Sequence, residues 1–348
     1  MAKNYLRLLL MIFLGILSMR DTFSQDIQFS QFYAAPIFLN PAMTGATELT
    51  RIGINYRNQW PGLNHSFNSY SAYIDHYVFD YNSGIGLIIN GNRESLAQLA
   101  TNEVGIAYSY NLKISEDINW RFGGQASFIT RDAYFGDLVF GSMIDIGAGT
   151  IGGISDELSG IALDYNHRFM NYHFGTMFTT RNAWLGLSAH NITEPNVSFV
   201  DDGISALPVK YSVHGGYRFQ LGYGAINNTF SNTRQERSLS LGFNYKQQAP
   251  FNQLDVGAQL FLDPLVVGVW YRGLPTKYNL PNNEAIIGLV GVSLPSGIDI
   301  GYSYDFTISN LNLRNSGGAH EISMRYSFLW GDPKNRNQRA RTIPCFHY

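Results

Sequence analysis

Few residues in this chain are spaced for catalysis. Its eight His residues are scattered, and no His or Cys cluster has metal-ligand spacing. Gly147-Ala-Gly-Thr-Ile-Gly152 spells GxGxxG. A dinucleotide site needs that motif between a strand and a helix, and no βαβ unit surrounds it here. No Gly-x-Ser-x-Gly elbow occurs, and no Ser/His or paired-carboxylate set stands out. The single cysteine, Cys345, leaves an internal disulfide impossible in the monomer. No enzymatic chemistry, metal or cofactor is expected. What does recur is charge in a regular pattern. Glu103, Arg121, Arg218, Asp255, Arg272, Asp299, Asp305 and Arg325 each adjoin at least one apolar or aromatic residue, as do Lys113, Lys210, Lys246 and Glu321.

That pattern requires strands. Val104, Ile106, Tyr108, Tyr110 and Leu112 alternate with Glu103, Gly105, Ala107, Ser109, Asn111 and Lys113. Successive side chains of a strand point to opposite faces, so one face is greasy and the other polar. Strand-like segments return near 51–60, 67–79, 83–92, 102–113, 118–130, 172–180, 183–190, 209–220, 237–248, 253–262, 265–273, 284–294, 297–305 and 319–330. Charged residues make up 14% of the chain, well under the ~25% of a soluble domain. Aromatics are also 14%, and many fall on the greasy face. Mean hydropathy is only −0.11, so the apolar residues are dispersed rather than gathered in helical spans. Short connections at 81–83, 115–117, 181–182, 263–264 and 295–296 mostly alternate with long ones at 93–101, 131–171, 191–208, 274–283 and 307–318. The connection 221–236 is long where a tight turn is expected.

These features predict an all-β fold: a transmembrane antiparallel β-barrel of about fourteen strands, with short periplasmic turns and long extracellular loops. A secreted β-sandwich or propeller would also alternate. The even strand count, the loop asymmetry and the aromatic-ended last strand, Ile322, Met324, Tyr326 and Phe328, favour the barrel. Greasy residues then face lipid, and the charges above face the lumen. Lys or Arg on the lipid face would cost ~2–4 kcal/mol near midplane. A lumen carrying both signs is either a water-filled pore or an interior whose charges pair. The second is favoured, with the connection 131–171 long enough to fold in or cap the mouth. His214 reads as a hydrogen-bonded lumen residue. A net charge of −2 argues against a nucleic-acid partner.

Four regions follow. Residues 1–24 read as a signal peptide: Lys3 and Arg7, an apolar run from Leu8 to Leu17, then Thr22 and Ser24 before the cut. Residues 25–50 contain Pro36 and Pro41, which disfavour regular structure, and are expected to lie in the periplasm. Residues 51–330 form the barrel. Residues 331–348 form a basic periplasmic tail with Lys334, Arg336, Arg339 and Arg341, either a solvated end or a docking strip.

Asp26-Ile-Gln-Phe-Ser-Gln-Phe32, Leu39-Asn40-Pro41-Ala42 with Gly45, and Tyr56-Arg57-Asn58-Gln59-Trp60-Pro61-Gly62 resemble the PorP/SprF family of type IX secretion membrane proteins. Further matches are Leu185-Gly-Leu-Ser-Ala-His190, Pro208-Val-Lys-Tyr211, Gly268-Val-Trp-Tyr-Arg272 and His320-Glu-Ile-Ser323. The order Pro344-Cys345 and the long 221–236 connection depart from the family. The resemblance implies a non-enzymatic outer-membrane accessory of the secretion and gliding machinery. Its implied partners are a secreted surface adhesin or other type IX cargo, a periplasmic PorK/PorN-type ring, and outer-membrane lipid. It places partner contacts at Gln28, Phe29, Gln31, Asn40, Pro41, Arg57 and Trp60 and in the basic tail. The alternative is a diffusion porin for small solutes.

Overall fold

Alternation along each segment becomes a wall with two unlike faces. The computed structural model describes residues 28–63, 66–95, 98–135, 139–145, 150–152, 164–198, 205–224, 235–273, 284–309 and 313–330. The wall strands are β1 (Thr50–Gln59), β2 (Phe67–Val78), β3 (Ser83–Glu94), β4 (Ala100–Lys113) and β5 (Asn119–Tyr134). They continue with β8 (Asp164–Thr179), β9 (Ala183–His190), β10 (Lys210–Gly224), β11 (Gln235–Gln248) and β12 (Phe251–Leu262). The last four are β13 (Leu265–Arg272), β14 (Ala285–Ser293), β15 (Ile298–Thr307) and β16 (Ala319–Phe328). Each pairs with its neighbours in chain order. Between β5 and β8 stands a separate small hairpin, β6 (Ile144–Asp145) with β7 (Thr150–Ile151). The wall closes where β16 pairs antiparallel with β1, from Thr50 opposite Phe328 to Gln59 opposite Ala319. Fourteen antiparallel strands thus form a barrel with no open edge. Among the described residues no helix is long and apolar enough to cross a membrane.

The outward face is apolar. Ile106 is 69% exposed and Val104, Tyr108, Tyr110 and Leu112 are exposed beside it, while Ala107, Ser109 and Asn111 are buried. Ile52, Ile54, Leu241, Val267, Val269, Val290, Ile300 and Ile322 extend the band around the barrel. Soluble monomers rarely leave so large a continuous apolar surface in water. Around a closed barrel, such a band faces hydrocarbon.

Each predicted strand is present, and several differ in extent, β5 running on to Tyr134. β8 begins at Asp164, earlier than 172. In its first half Tyr165, His167 and Phe169 turn inward while Asn166 and Arg168 are exposed. That reversed polarity marks a stretch standing above the lipid, so the greasy-out pattern does not reach it. The 221–236 connection is partly strand, because β10 runs to Gly224 and β11 starts at Gln235. Residues 225–234 lie outside the described residues.

The lumen is occupied. Residues 28–48 run inside the barrel, nearly all buried. They include a short helix α1 (Pro36–Leu39) and a 3-10 turn at Pro41–Met43. This differs from the periplasmic placement expected for 25–50. Among the described residues the filling comes from the N-terminal side of β1. Of the connection 131–171, the described part between the strands, 139–145 and 150–152, is mostly exposed. The signal peptide and the tail residues Lys334, Arg336, Arg339, Arg341 and Cys345 lie outside the described residues.

Candidate functional site

The N-terminal segment is held at three levels between the outer and periplasmic ends of the lumen. At the outer level, Glu321 on β16 accepts hydrogen bonds from the backbone N–H groups of Ser30 (2.6 Å) and Gln31 (2.9 Å). The Ser30 hydroxyl donates to Asp305 on β15 at 2.7 Å. Arg57 on β1 reaches Asp305 at 2.8 Å and Glu321 at 3.3 Å. Arg272 on β13 reaches Asp305 at 3.0 Å and Asp255 at 2.9 Å, and donates to the Phe29 carbonyl. Lys246 adds to Asp255 at 3.4 Å. Three cations thus meet three carboxylates. Buried ions are tolerable only when paired and hydrogen-bonded in this way. The Gln31 amide donates to Ser303 and to the Glu321 carbonyl and accepts from Ser323. It is fully buried with both ends satisfied.

At the middle level, Asn40 takes the role of an inserted peptide group. Its Nδ2 lies 3.1 Å from the Thr176 carbonyl on β8, 3.2 Å from the Leu187 carbonyl on β9, and 3.1 Å from His214 Nε2 on β10. Its Oδ1 accepts from Ala42 N and caps the 3-10 turn. The wall admits this contact because it carries glycine there. A side chain at Gly175 would collide with Asn40 Oδ1, and one at Gly123 with Ala42 N. Ser188 donates to the Leu39 carbonyl at 3.0 Å.

At the periplasmic level, Asp75 on β2 accepts from Gly45 N at 2.6 Å and is gripped bidentately by Arg51. Arg51 also donates to the Met43 carbonyl, and Ser109 to the Thr44 carbonyl. Gly45 has φ +64°, the left-handed turn that aims its N–H at Asp75.

Between these polar levels the segment packs as an ordinary core. Phe32, Tyr33, Leu39 and Met43 lie against Trp184, Trp270, Met177, Ile287 and Leu289. Phe32 meets Trp270 edge-on at 5.1 Å. On the opposite wall Ile37 packs with Tyr73, Ile88 and Ala107.

The expected inward charges divide into groups. Asp255, Arg272 and Asp305 belong to the outer clamp, which also recruits Arg57 and Glu321. Asp299 and Arg325 form their own pair at 2.6 Å. Glu103 is bound by Asn90, Gln125 and His173. Arg121 is buried over the Tyr77 ring. Arg218 is half-buried on the strand face of Ser212 and His214, and Lys113 is exposed at the turn end of β4. Of the expected partner-contact residues, Phe29, Gln31, Asn40, Pro41 and Arg57 are buried against the barrel's own wall, and Gln28 is half-buried. Trp60 stands apart at the outer end of β1, its N–H bonded to the Gly318 carbonyl and its ring against Phe67. Sequence reasoning missed Asp75, Ser109 and Ser188 as wall anchors. Asp75 and Ser109 alternate with apolar neighbours in β2 and β4 and were readable as inward groups.

A closed antiparallel barrel wrapped in a lipid-facing apolar band is an outer-membrane β-barrel, and that is where this protein resides. The chain belongs to the family described as type IX secretion system membrane protein PorP/SprF, whose model matches residues 21–326. No curated protein matches it. Among solved structures it is similar to the outer membrane protein Omp33 of Acinetobacter baumannii, at 10% identity and TM-score 0.39, covering 82% of this chain and 100% of that one. It is similar to a Pseudomonas aeruginosa FadL homologue at 12% identity and TM-score 0.41, covering 85% and 94%. A mutant Rh. blastica porin gives 7% identity and TM-score 0.31, covering 80% and 99%.

Proposed function

We propose that this protein is a non-enzymatic accessory of the type IX secretion and gliding machinery. It binds or anchors a secreted surface adhesin at its outer connections and contacts a periplasmic PorK/PorN-type ring at the opposite end. The observation that carries this reading is the occupied lumen. A channel whose interior is filled by residues 28–48, tied at Glu321, Asn40 and Asp75, has no room for a passing polypeptide. Its work then falls to its two rims. The long connections favour the outer rim for cargo. The basic residues Lys334, Arg336, Arg339 and Arg341 favour the periplasmic rim for the ring. Crosslinking in intact cells followed by purification tests this: an adhesin and a ring protein are the expected companions, and recovery of neither defeats the proposal. Planar-bilayer recording tests the porin alternative. The expected result is silence, and a steady open conductance would make the protein a porin.

A further inference from the structure

On one side of the barrel the outward face changes character where the apolar band ends, and strand register sets the boundary. Ile89 on β3, Val104 on β4, Phe128 on β5 and Met170 on β8 lie opposite one another in a single outward row, each 40–48% exposed. Two residues nearer the outer end, a step of ~7 Å, the same strands present Gly91, Asn102, Thr130 and Arg168. The next outward row holds Arg93, Asp132 and Asn166. Arg93 and Arg168 are both exposed. We propose that this patch seats the phosphorylated headgroup of an outer-leaflet glycolipid whose acyl chains lie along the row of Ile89 and Met170.

Three features point to that occupant. The first is continuity with the lipid band. A ligand that covers apolar Ile89, Val104, Phe128 and Met170 and also meets two guanidinium groups one and two rows above them is an amphiphile with an anionic head. The second is the supply of donors. Arg168 spends its Nε on Asn166 Oδ1 at 3.0 Å, and Arg93 reaches Gln98 Oε1 at 3.4 Å. Among the described residues neither guanidinium is within ion-pair distance of a carboxylate. Asp132, the carboxylate of the patch, is engaged by Asn166 Nδ2. The Tyr70 hydroxyl donates to Asn102 Oδ1 at 2.7 Å, which leaves the Asn102 NH2 group to donate. Phosphate oxygens only accept, and a guanidinium fork matches two of them. The third is one-sidedness. Across β12 to β15 the lysines and arginines are reduced to Arg272, which is fully buried toward the lumen. A general attraction for anionic lipid would run around the whole barrel; this patch is local. Arg93 and Arg168 stand three strand spacings apart, ~14 Å. That breadth suits a phosphorylated disaccharide better than the single phosphate of a phospholipid.

The test is native mass spectrometry of the purified full-length barrel, freed of lipid in detergent and titrated with diphosphoryl lipid A. Lipid A is expected to bind, and its dephosphorylated form to bind about tenfold more weakly, the scale of one charge-assisted contact. Arg168→Gln and Arg93→Gln should each weaken the diphosphoryl form about as much and leave the dephosphorylated form unchanged. Lys113→Gln, at the periplasmic end of β4, should change neither. Every variant must keep the heat-dependent gel shift of the folded barrel. Equal affinity for the two forms, or lipid A binding that survives Arg93→Gln and Arg168→Gln together, overturns the proposal. An equal loss in Lys113→Gln overturns it by making the attraction diffuse. Phosphatidylglycerol bound as tightly as lipid A also overturns it, making the patch a general anionic belt. The accessory reading is untouched by these outcomes and stands or falls on the crosslinking.

Discussion

Two adjoining stretches of the buried segment are fastened by different forces. Residues 29–31 are held by charge: Arg57, Arg272, Asp305 and Glu321 close around their backbone and the Ser30 hydroxyl. Residues 32–43 are held mainly by apolar packing against Trp184, Trp270, Ile287 and Leu289, with Asn40 making the most wall contacts among their polar groups. Ion pairs are directional and tolerate one register; burial of Phe32 or Leu39 is strong but indifferent to small slips. The difference teaches how a segment with almost no secondary structure acquires a unique path. Packing supplies the attraction, and the clamp with Asn40 fixes which residue lies where.

The most drastic way to break that comparison is to delete residues 28–48. The deletion removes both halves together and uncovers the inward charges of the wall. A stepwise conductance in planar bilayers is the expected outcome, where the intact barrel is silent. Next come single changes in each half. Arg57→Met takes from Glu321 its cation and leaves Asp305 with Arg272 alone, and Trp270→Ala opens a void under Phe32. Each should cost ~3–5 kcal/mol in urea unfolding. The two are told apart by rescue: adding Glu321→Gln should recover part of the Arg57→Met loss and none of the Trp270→Ala loss. Asn40→Ala removes the contacts to Thr176 and Leu187 and should cost ~1–3 kcal/mol by the same assay. Arg181→Ala is the small control. Its pair with Asp117 is exposed at 3.6 Å, so the change should stay within about 0.5 kcal/mol.

The wall was legible in the sequence because lipid imposes a simple rule on every outward residue. The greasy-out alternation that located β4, β11, β12, β15 and β16 stops working where lipid stops, as at Tyr165–Phe169. The lumen obeys no such rule. Asp255, Arg272 and Asp305 could be seen to point inward, yet what they grip lies far away in the chain. Two clues to an occupied interior were present. β13 and β14, Leu265-Val-Val-Gly-Val-Trp and Ala285-Ile-Ile-Gly-Leu-Val, are apolar on both faces, which requires a dry lumen beside them. The segment 28–48 carries Phe29, Phe32, Tyr33, Ile37, Leu39 and Met43, more apolar surface than a solvated periplasmic stretch would hold. The prolines in it argued against regular structure through its middle; each instead opens a short helical turn, Pro36–Leu39 and Pro41–Met43, and neither argued against burial.

Glu321, on the final strand, holds Ser30, which precedes the first; 291 positions of sequence separate them. Residues that precede the first strand are therefore secured by the last one. A barrel interrupted before β15 and β16 lacks both the partner of β1 and the carboxylates that grip the opening residues. Closing the seam and corking the hole are one event, so an unfinished copy cannot pose as a finished one.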